Sequence, residues 1–301
     1  MSKFNFSDVI TDIKDSLKKD KKSELLDGVA LGSDMVEASK DPKDYVVMPS
    51  WFEESYGVLG LPFGKMFQIA GLSDSGKTST AITAMKAAQQ QGFGIVYIET
   101  ESKTSPQDLL DWGVDPDDVM LIKTNITERA FELAFRSIEA FFASYPKEKL
   151  LFIYDSFGNT TSLHDQAVDL LEGHQKVGGA AKTNRLGLGR LVTLMDKYPI
   201  AVLIVNYHYA NMGSPGNTQA GGNALKFYSM IIVESSRTGD WIRTIDKQKV
   251  KAGAFVKFKT IKNHFQKIAT DAEGKRRMLP KELNLRISAS GMEKVDGNSD
   301  E

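Results

Sequence analysis

The chain has 301 residues, with 38 Lys plus Arg against 39 Asp plus Glu and a formal net charge of −1. That length fits one large α/β domain with additions, or two small domains, and 41% hydrophobic with 26% charged residues excludes wholesale disorder. No apolar run approaches the roughly 18–20 residues that span a bilayer, and the absence of cysteine excludes disulfides, thiolate metal sites and a cysteine nucleophile, which fits a soluble protein of the cytoplasm.

The N-terminus, MSKFNFSDVITDIKDSLKKDKK, lacks the uncharged core of a secretory signal. Residues 1 to about 26 are expected to form one amphipathic helix, with Ser7 as its cap and Val9, Ile10, Ile13 and Leu17 near helical spacing. Such a helix either packs on its own core or docks as an arm on a neighbouring subunit. A polar linker, GSDMVEASKDPKD, follows.

From Trp51 the pattern is α/β. MFQIAG reads as a short buried strand, TSTAITAMKAAQQQ as a helix and GIVYIET as a strand. Thr127 to Ser144 reads as a helix with Phe131, Phe135, Ile138 and Phe142 on one side. KLLFIYD is a strand, NRLGLGRLVTLMDKY a helix stopped by Pro199, and IAVLIVN and SMIIVES two more strands. Apolar strands alternating with helices imply a mainly parallel, twisted sheet covered on both faces. After Trp241, AFVKFKTI alternates apolar residues with Lys, as a strand wet on one face does. The expected divisions are an arm and linker at 1–50, the core at 51–292 and an acidic, disordered tail at 293–301. Charge is uneven: Ser236–Pro280 holds twelve Lys/Arg against four Asp/Glu, a local excess of +8, and a basic stretch of this kind can track phosphates in a neutral protein.

Gly71-Leu72-Ser73-Asp74-Ser75-Gly76-Lys77-Thr78 matches the full GxxxxGK[ST] pattern, with Ser79 following, between an expected strand and an expected helix. Glycines and small residues let the loop turn its N–H groups toward phosphate oxygens, and the helix N-terminus adds partial positive charge. Lys77 is placed to reach the β- and γ-phosphates and Thr78 to ligate Mg²⁺. Asp74 places a negative charge inside the phosphate-binding loop; it can point outward, and it carries no functional reading of its own. The second anchor for Mg²⁺ is Asp155, the carboxylate that ends LLFIYD. Glu99 and Glu101 close the strand before it, and alternation puts them on one face; either could polarise the water that attacks the γ-phosphate. No NKxD-like guanine reader occurs in the later strands, so ATP is favoured over GTP.

The flanking segments carry more. GLPFGKMFQIAG runs into GLSDSGKTS, and YIETES, FIYDS, IVN and GGNALKFY follow in that order. Together they resemble the RecA recombinases of bacteria and their bacteriophage counterparts, from about Trp51 to Ile287. The resemblance implies a RecA-like P-loop ATPase core with an N-terminal helical arm and a DNA-dependent ATPase that hydrolyses ATP with Mg²⁺. It implies helical filaments of the chain on single-stranded DNA, and pairing and strand exchange with double-stranded DNA. It allows for single-strand-binding and loading proteins as further partners, and for no membrane. It assigns Glu101 to water activation, Lys77 and Thr78 to the P-loop roles and Asp155 to the metal. Lys262, in TIKNHF, matches a lysine that reaches a neighbour's ATP. The first DNA-binding loop corresponds to Gly158 to about Lys182, with Lys176, Lys182 and nearby Arg185 as basic groups. The second corresponds to Tyr207–Gly222, with Tyr207, His208, Tyr209, Met212, Asn217, Gly221, Gly222 and the adjoining Asn223. No secondary structure is evident in that second segment.

Several positions depart from the pattern. His264 stands where the second trans lysine is expected. Tyr207 stands at the position of a γ-phosphate-sensing glutamine, with His208 adjacent. Asp108 stands where an aromatic would cover adenine. The extra C-terminal DNA-gathering domain is expected to be missing. A hexameric RecA-fold motor and a non-catalytic ATP switch are the alternative functions; the first usually carries a separate N-terminal domain, and Glu101 argues against the second.

Overall fold

A computed structural model of the chain describes residues 6–20, 41–163, 179–210, 217–219, 222–265, 268–270 and 276–295. The chain divides into two units, residues 1–39 and 40–301. Among the described residues no helix is long and apolar enough to cross a membrane.

In the first unit, helix α1 spans Phe6–Lys19. Asp8 in its first turn and Lys18 and Lys19 in its last complement the helix dipole. Ser7 lies inside the first turn rather than before it, and its carbonyl accepts a hydrogen bond from Thr11 Oγ1 at 2.9 Å. Val9 and Ile13, from the expected apolar stripe, are exposed. The rest of the expected helix and its linker, residues 21–40, lies outside the described residues.

The second unit begins before Trp51, which moves the expected core boundary upstream. Strand β1 (Tyr45–Val47) precedes helix α2 (Ser50–Tyr56) and pairs antiparallel with β2 (Gly60–Pro62). Tyr45, Val46 and Met48 are buried, so the end of the 1–50 division, after the polar linker sequence, supplies core. On α2, Phe52 packs its ring 4.7 Å from Tyr56 and 5.3 Å from Phe67.

Next in chain order come β3 (Met66–Gly71), α3 (Lys77–Gln90), β4 (Gly94–Glu99), α4 (Pro106–Asp111), β5 (Met120–Lys123), α5 (Thr127–Ser144) and β6 (Leu150–Asp155). Then follow α6 (Gly179–Lys197), β7 (Ile200–Ala210), β8 (Asn217–Gln219), α7 (Gly222–Tyr228), β9 (Ser229–Ile245) and β10 (Gln248–Asn263). The chain closes with β11 (Ile268–Thr270), β12 (Arg276–Met278), β13 (Glu282–Ser288) and β14 (Gly291–Lys294). The large sheet has the order β14-β13-β10-β9-β3-β7-β6-β4-β5, with β8 paired to β7. From β9 to β5 every neighbour is parallel, and β10, β13 and β14 extend the sheet antiparallel. The expected α/β architecture is present.

The helices explain why the parallel strands are apolar throughout. Phe131, Phe135, Ile138 and Phe142 on α5 join Leu188 and Leu191 on α6 against Val96, Ile98, Phe152, Tyr154, Val202 and Ile204. Each buried Phe, Leu or Ile of this kind stabilises by about 1.5–3 kcal/mol. The alternate strand residues, such as Ile69, Ile95, Ile153 and Leu203, face the other way, and α3 packs on β3, β4, β6 and β7.

Two stretches differ from expectation. β9 and β10 run past SMIIVES and before AFVKFKTI to form a long hairpin, turned at Asp246 and Lys247 with φ of 50° and 66°. Its outer part is mostly exposed, so no burial alternation marks it in the sequence. The expected acidic tail also starts too early: Glu293 and Lys294 belong to β14, where Glu293 pairs with Arg286 at 2.6 Å and Lys294 with Glu54. Residues 296–301 lie outside the described residues.

Gly187 tests the packing of α6 on α5. A Cβ there would sit 2.4 Å from Phe131 Cε2, and that ring is walled in by Tyr154 and Phe157. Gly to Ala inside a helix ordinarily stabilises by about 0.5–1 kcal/mol. Gly187→Ala should instead destabilise by about 1–3 kcal/mol, as overpacking does. Gly189→Ala, whose nearest neighbour is Tyr228 Oη at 3.8 Å, should follow the ordinary rule. Denaturant midpoints of the two variants check the pair.

Candidate active site

β3 ends at Gly71, and the loop that follows returns into α3 at Lys77. Gly76 has φ 87°, and a Cβ there would meet Ile287 Cδ1 at 2.7 Å, so glycine is required on both counts. Ser75 donates its hydroxyl to Leu72 O at 2.7 Å and lies 2.8 Å from the Ser235 hydroxyl, which pins the loop to β9. Asp74 adopts φ 57° and is exposed at the cavity rim. Lys77 Nζ donates to Leu72 O at 2.6 Å and lies 4.4 Å from the centroid of the Tyr207 ring. Burial pulls its ammonium down to about 8, against the opposing pull of Asp155, Glu101 and Asp74.

Thr78 Oγ1 donates to Asp155 Oδ2 at 2.8 Å, so the two expected metal anchors meet. Asp155 is buried at the tip of β6, and burial pushes its carboxyl up to about 6 although the Thr78 hydrogen bond acts to lower it. Among the described residues no cluster of three or more His, Asp or Glu side chains suits a metal ion. One hydroxyl and one carboxylate do suit Mg²⁺, which keeps several waters and takes further ligands from phosphates.

Glu99 and Glu101 separate into two jobs. The Glu99 carboxylate is buried and accepts backbone N–H groups from Glu101, Ser102 and Lys103 at 3.3, 2.6 and 3.1 Å. Glu101 stands in the cavity and accepts from Ser156 Oγ at 2.8 Å and Tyr207 Oη at 3.2 Å, and it forms an ion pair with Lys103. Burial acts to raise the Glu101 carboxyl, but the hydrogen bonds from Lys103, Ser156 and Tyr207 outweigh it and hold it below its ordinary value. Strand alternation put both acids on one face. It stops applying at Glu99, where β4 ends and the chain turns through Ser102 at φ 53°.

The second expected DNA loop needs correction. β7 does not stop at Asn206; it continues to Ala210 and pairs antiparallel with β8, His208 opposite Gln219, Tyr209 opposite Thr218 and Ala210 opposite Asn217. Tyr207 is therefore a strand residue level with Gly71, and its side chain enters the phosphate cavity instead of standing in a DNA loop. Gly222 opens α7, and Asn223 is exposed on it. Met212 and Gly221 lie outside the described residues, as does Lys176 of the first loop; Lys182 and Arg185 are exposed on α6.

Lys262 and His264 are not near Lys77 through the sheet. Pairing places Lys262 opposite Ile232 and Asn263 opposite Ile231, which are level with Gln68 and Phe67 on β3, back from the loop after Gly71. Lys262 Nζ donates to the carbonyls of Lys226, Phe227 and Ser229 at 2.9, 3.3 and 2.6 Å, closing the C-terminus of α7. Burial and neighbouring Lys226 hold its ammonium below the ordinary value. His264 is exposed beside it. Asp108 is the N3 residue of a capping box on α4: it accepts from Ser105 N at 2.8 Å while Ser105 Oγ accepts from its N–H at 3.1 Å. Sequence reasoning missed Lys103, Ser156 and Ser235. Lys103 alone carried a signal, as the first cation beyond a strand that ends at the sheet's carboxyl edge.

The profile of the RecA N-terminal domain matches residues 43–274. The chain belongs to the RecA N-terminal domain family. Proteins named Protein RecA are similar to it: one from Fusobacterium nucleatum subsp. nucleatum is 26% identical over 256 residues, covering 83% of this chain and 65% of that protein. Those of Treponema pallidum and Aquifex pyrophilus are each 28% identical, over 73% and 72% of this chain and 53% and 60% of theirs. The chain thus spans about half to two thirds of the length of these RecA relatives.

A buried Asp with a raised pKa is a folding cost. Between its ordinary value of 3.8 and about 6 the folded form holds the proton more tightly, so this group's contribution to stability falls as pH rises through that window. At pH 7 the full penalty is present. Asp155→Asn should therefore stabilise the protein without nucleotide by about 1–3 kcal/mol at pH 7, lose that advantage near pH 4, and bind ATP without the wild-type response to Mg²⁺. Thermal unfolding across pH, with and without Mg-ATP, checks all three.

Proposed function

We propose that the chain is an ATP-dependent DNA recombinase, a DNA-dependent ATPase that forms filaments on single-stranded DNA and exchanges strands with a homologous duplex. The observation that carries this is Tyr207. It touches Glu101 and Lys77 in the phosphate cavity and sits on the same strand whose far end forms the β7–β8 hairpin, at the position of the second DNA segment. A change at the terminal phosphate is thereby one strand away from the DNA. Membership of the RecA N-terminal domain family supports the same reading.

In the proposed mechanism the amides of residues 72–78 and the α3 N-terminus hold the phosphates. Lys77 leaves Leu72 O for the β- and γ-oxygens. Thr78 and Asp155 would hold Mg²⁺, which would supply charge neutralisation to the triphosphate. Glu101 orients a water and accepts its proton as the water oxygen bonds to the γ-phosphorus. The bond to the β,γ-bridging oxygen breaks and ADP departs. Lys262 and His264 would act on a neighbour's nucleotide, a reading supported by the position of Lys262 level with Gln68, back from the chain's own P-loop. Lys262 would have to exchange its α7 carbonyls for that neighbour, which links assembly to the helix following the DNA hairpin. Of the segment 1–50, the part before the core, residues 1–39, would join protomers, since a polar stretch of about twenty residues at roughly 3.3 Å each reaches an adjacent subunit.

Single-stranded DNA should stimulate ATP hydrolysis, and DNA affinity should fall steeply with salt, as counterion release requires. Glu101→Gln should lower the stimulated rate by about 100-fold or more yet still bind ATP and give filaments visible by electron microscopy. A rate indifferent to single-stranded DNA contradicts the recombinase reading, and wild-type turnover in Glu101→Gln contradicts the assignment of the base. Deleting residues 1–30 should leave a folded core that neither polymerises nor hydrolyses ATP appreciably. Filaments of normal length from that variant, seen by sedimentation on single-stranded DNA, would return the arm to an ordinary structural role.

A further inference from the structure

The loop after β4 is built to deliver a charge. Glu99 clamps the backbone of residues 101–103, and the left-handed turn at Ser102 returns the chain so that Glu101 and Lys103 both line the phosphate cavity. The described cations lining that cavity are Lys77 and Lys103; the acids are Asp74, Glu99, Glu101 and Asp155. The cavity is thus short of positive charge for a triphosphate, and Lys77 is a single group on the loop side. Lys103 approaches from the side of Glu101, where the terminal phosphate and the attacking water of the proposed reaction would lie.

We propose that Lys103 is a γ-phosphate contact supplied in cis, exchanging its ion pair with Glu101 for one with the terminal phosphate of ATP. This rests on the ATPase reading above. The pair is weakly held on the lysine side: the Lys103 side chain is 69% exposed against 10% for Glu101, and an exposed ammonium on a flexible stem gains little from such a pair. A charge-assisted contact to phosphate is stronger. The exchange also removes from Glu101 a cation that otherwise shares its Oε2 with the Tyr207 hydroxyl, opening one acceptor position of that oxygen to water. Lys103 is held charged by the hydrogen bond to Glu101, which raises it above the ordinary lysine value.

The test uses full-length wild type, Lys103→Met and Lys103→Arg, each with Mg²⁺, and measures the dissociation constants of ADP and of a non-hydrolysable β,γ-imido ATP analogue by calorimetry. Lys103→Met should weaken the analogue by about tenfold, the scale of one charge-assisted hydrogen bond, with ADP unchanged, and Lys103→Arg should restore most of the loss. A Lys103→Met protein that keeps the wild-type preference for the analogue over ADP, or that loses both ligands equally, overturns the proposal and leaves the ATPase reading standing. Wild-type protein that binds neither nucleotide overturns both.

Discussion

The parallel pairing of β3 with β7 on one side and β9 on the other fixes where every group of the phosphate cavity stands. Gly71 is level with Tyr207 on β7 and with Ser235 on β9. Across the next pairings Glu99 on β4 is level with Asp155 on β6. β3, β4 and β6 therefore end at one edge, with β7 and β9 running past it, and that carboxyl edge is where α/β sheets place their ligands. Shifting β7 by one residue would turn Tyr207 out of the cavity and exchange the two buried faces of the strand, each of which packs against different partners. The register is held by that core, because Val202 and Ile204 face α5 and α6 while Leu203 and Val205 face the other way.

That edge carries a standing electrostatic cost. Lys77 and Asp155 are both buried, and burial weakens the charged form of each. In the proposed mechanism phosphate and Mg²⁺ relieve what folding alone does not. Tyr207 fits the same logic, since its ring lies against the Lys77 ammonium and its hydroxyl satisfies Glu101. It is a side chain that a terminal phosphate would have to meet, on a strand that leads out to the hairpin.

Much of this was legible from residues, for identifiable reasons. β3 and α5 have their expected bounds, and β6 starts one residue later than expected, because buried parallel strands are apolar runs and α5 shows its Phe and Ile stripe at helical spacing. The P-loop and the Thr78–Asp155 pair followed from local motif and strand end. Features that depend on distant partners were not legible. His208–Ala210 is strand because Asn217–Gln219 folds back on it. The β9–β10 hairpin is held by its own ladder with little burial, so its sequence shows no period. The Asp108 capping box is written locally in the sequence as Ser-Pro-Gln-Asp, whatever residue covers adenine in related proteins.

The proposal joins ATP, the β7–β8 hairpin and a second protomer into one device, and its output is exchange of DNA strands. The most direct measurement is a strand-exchange reaction with ATP and Mg²⁺, using labelled single-stranded DNA and either a homologous or a heterologous duplex. The account predicts heteroduplex product that needs ATP and forms with the homologous duplex alone. Protein that hydrolyses ATP and binds single-stranded DNA, yet yields no more product with the homologous duplex than with the heterologous one, would contradict it.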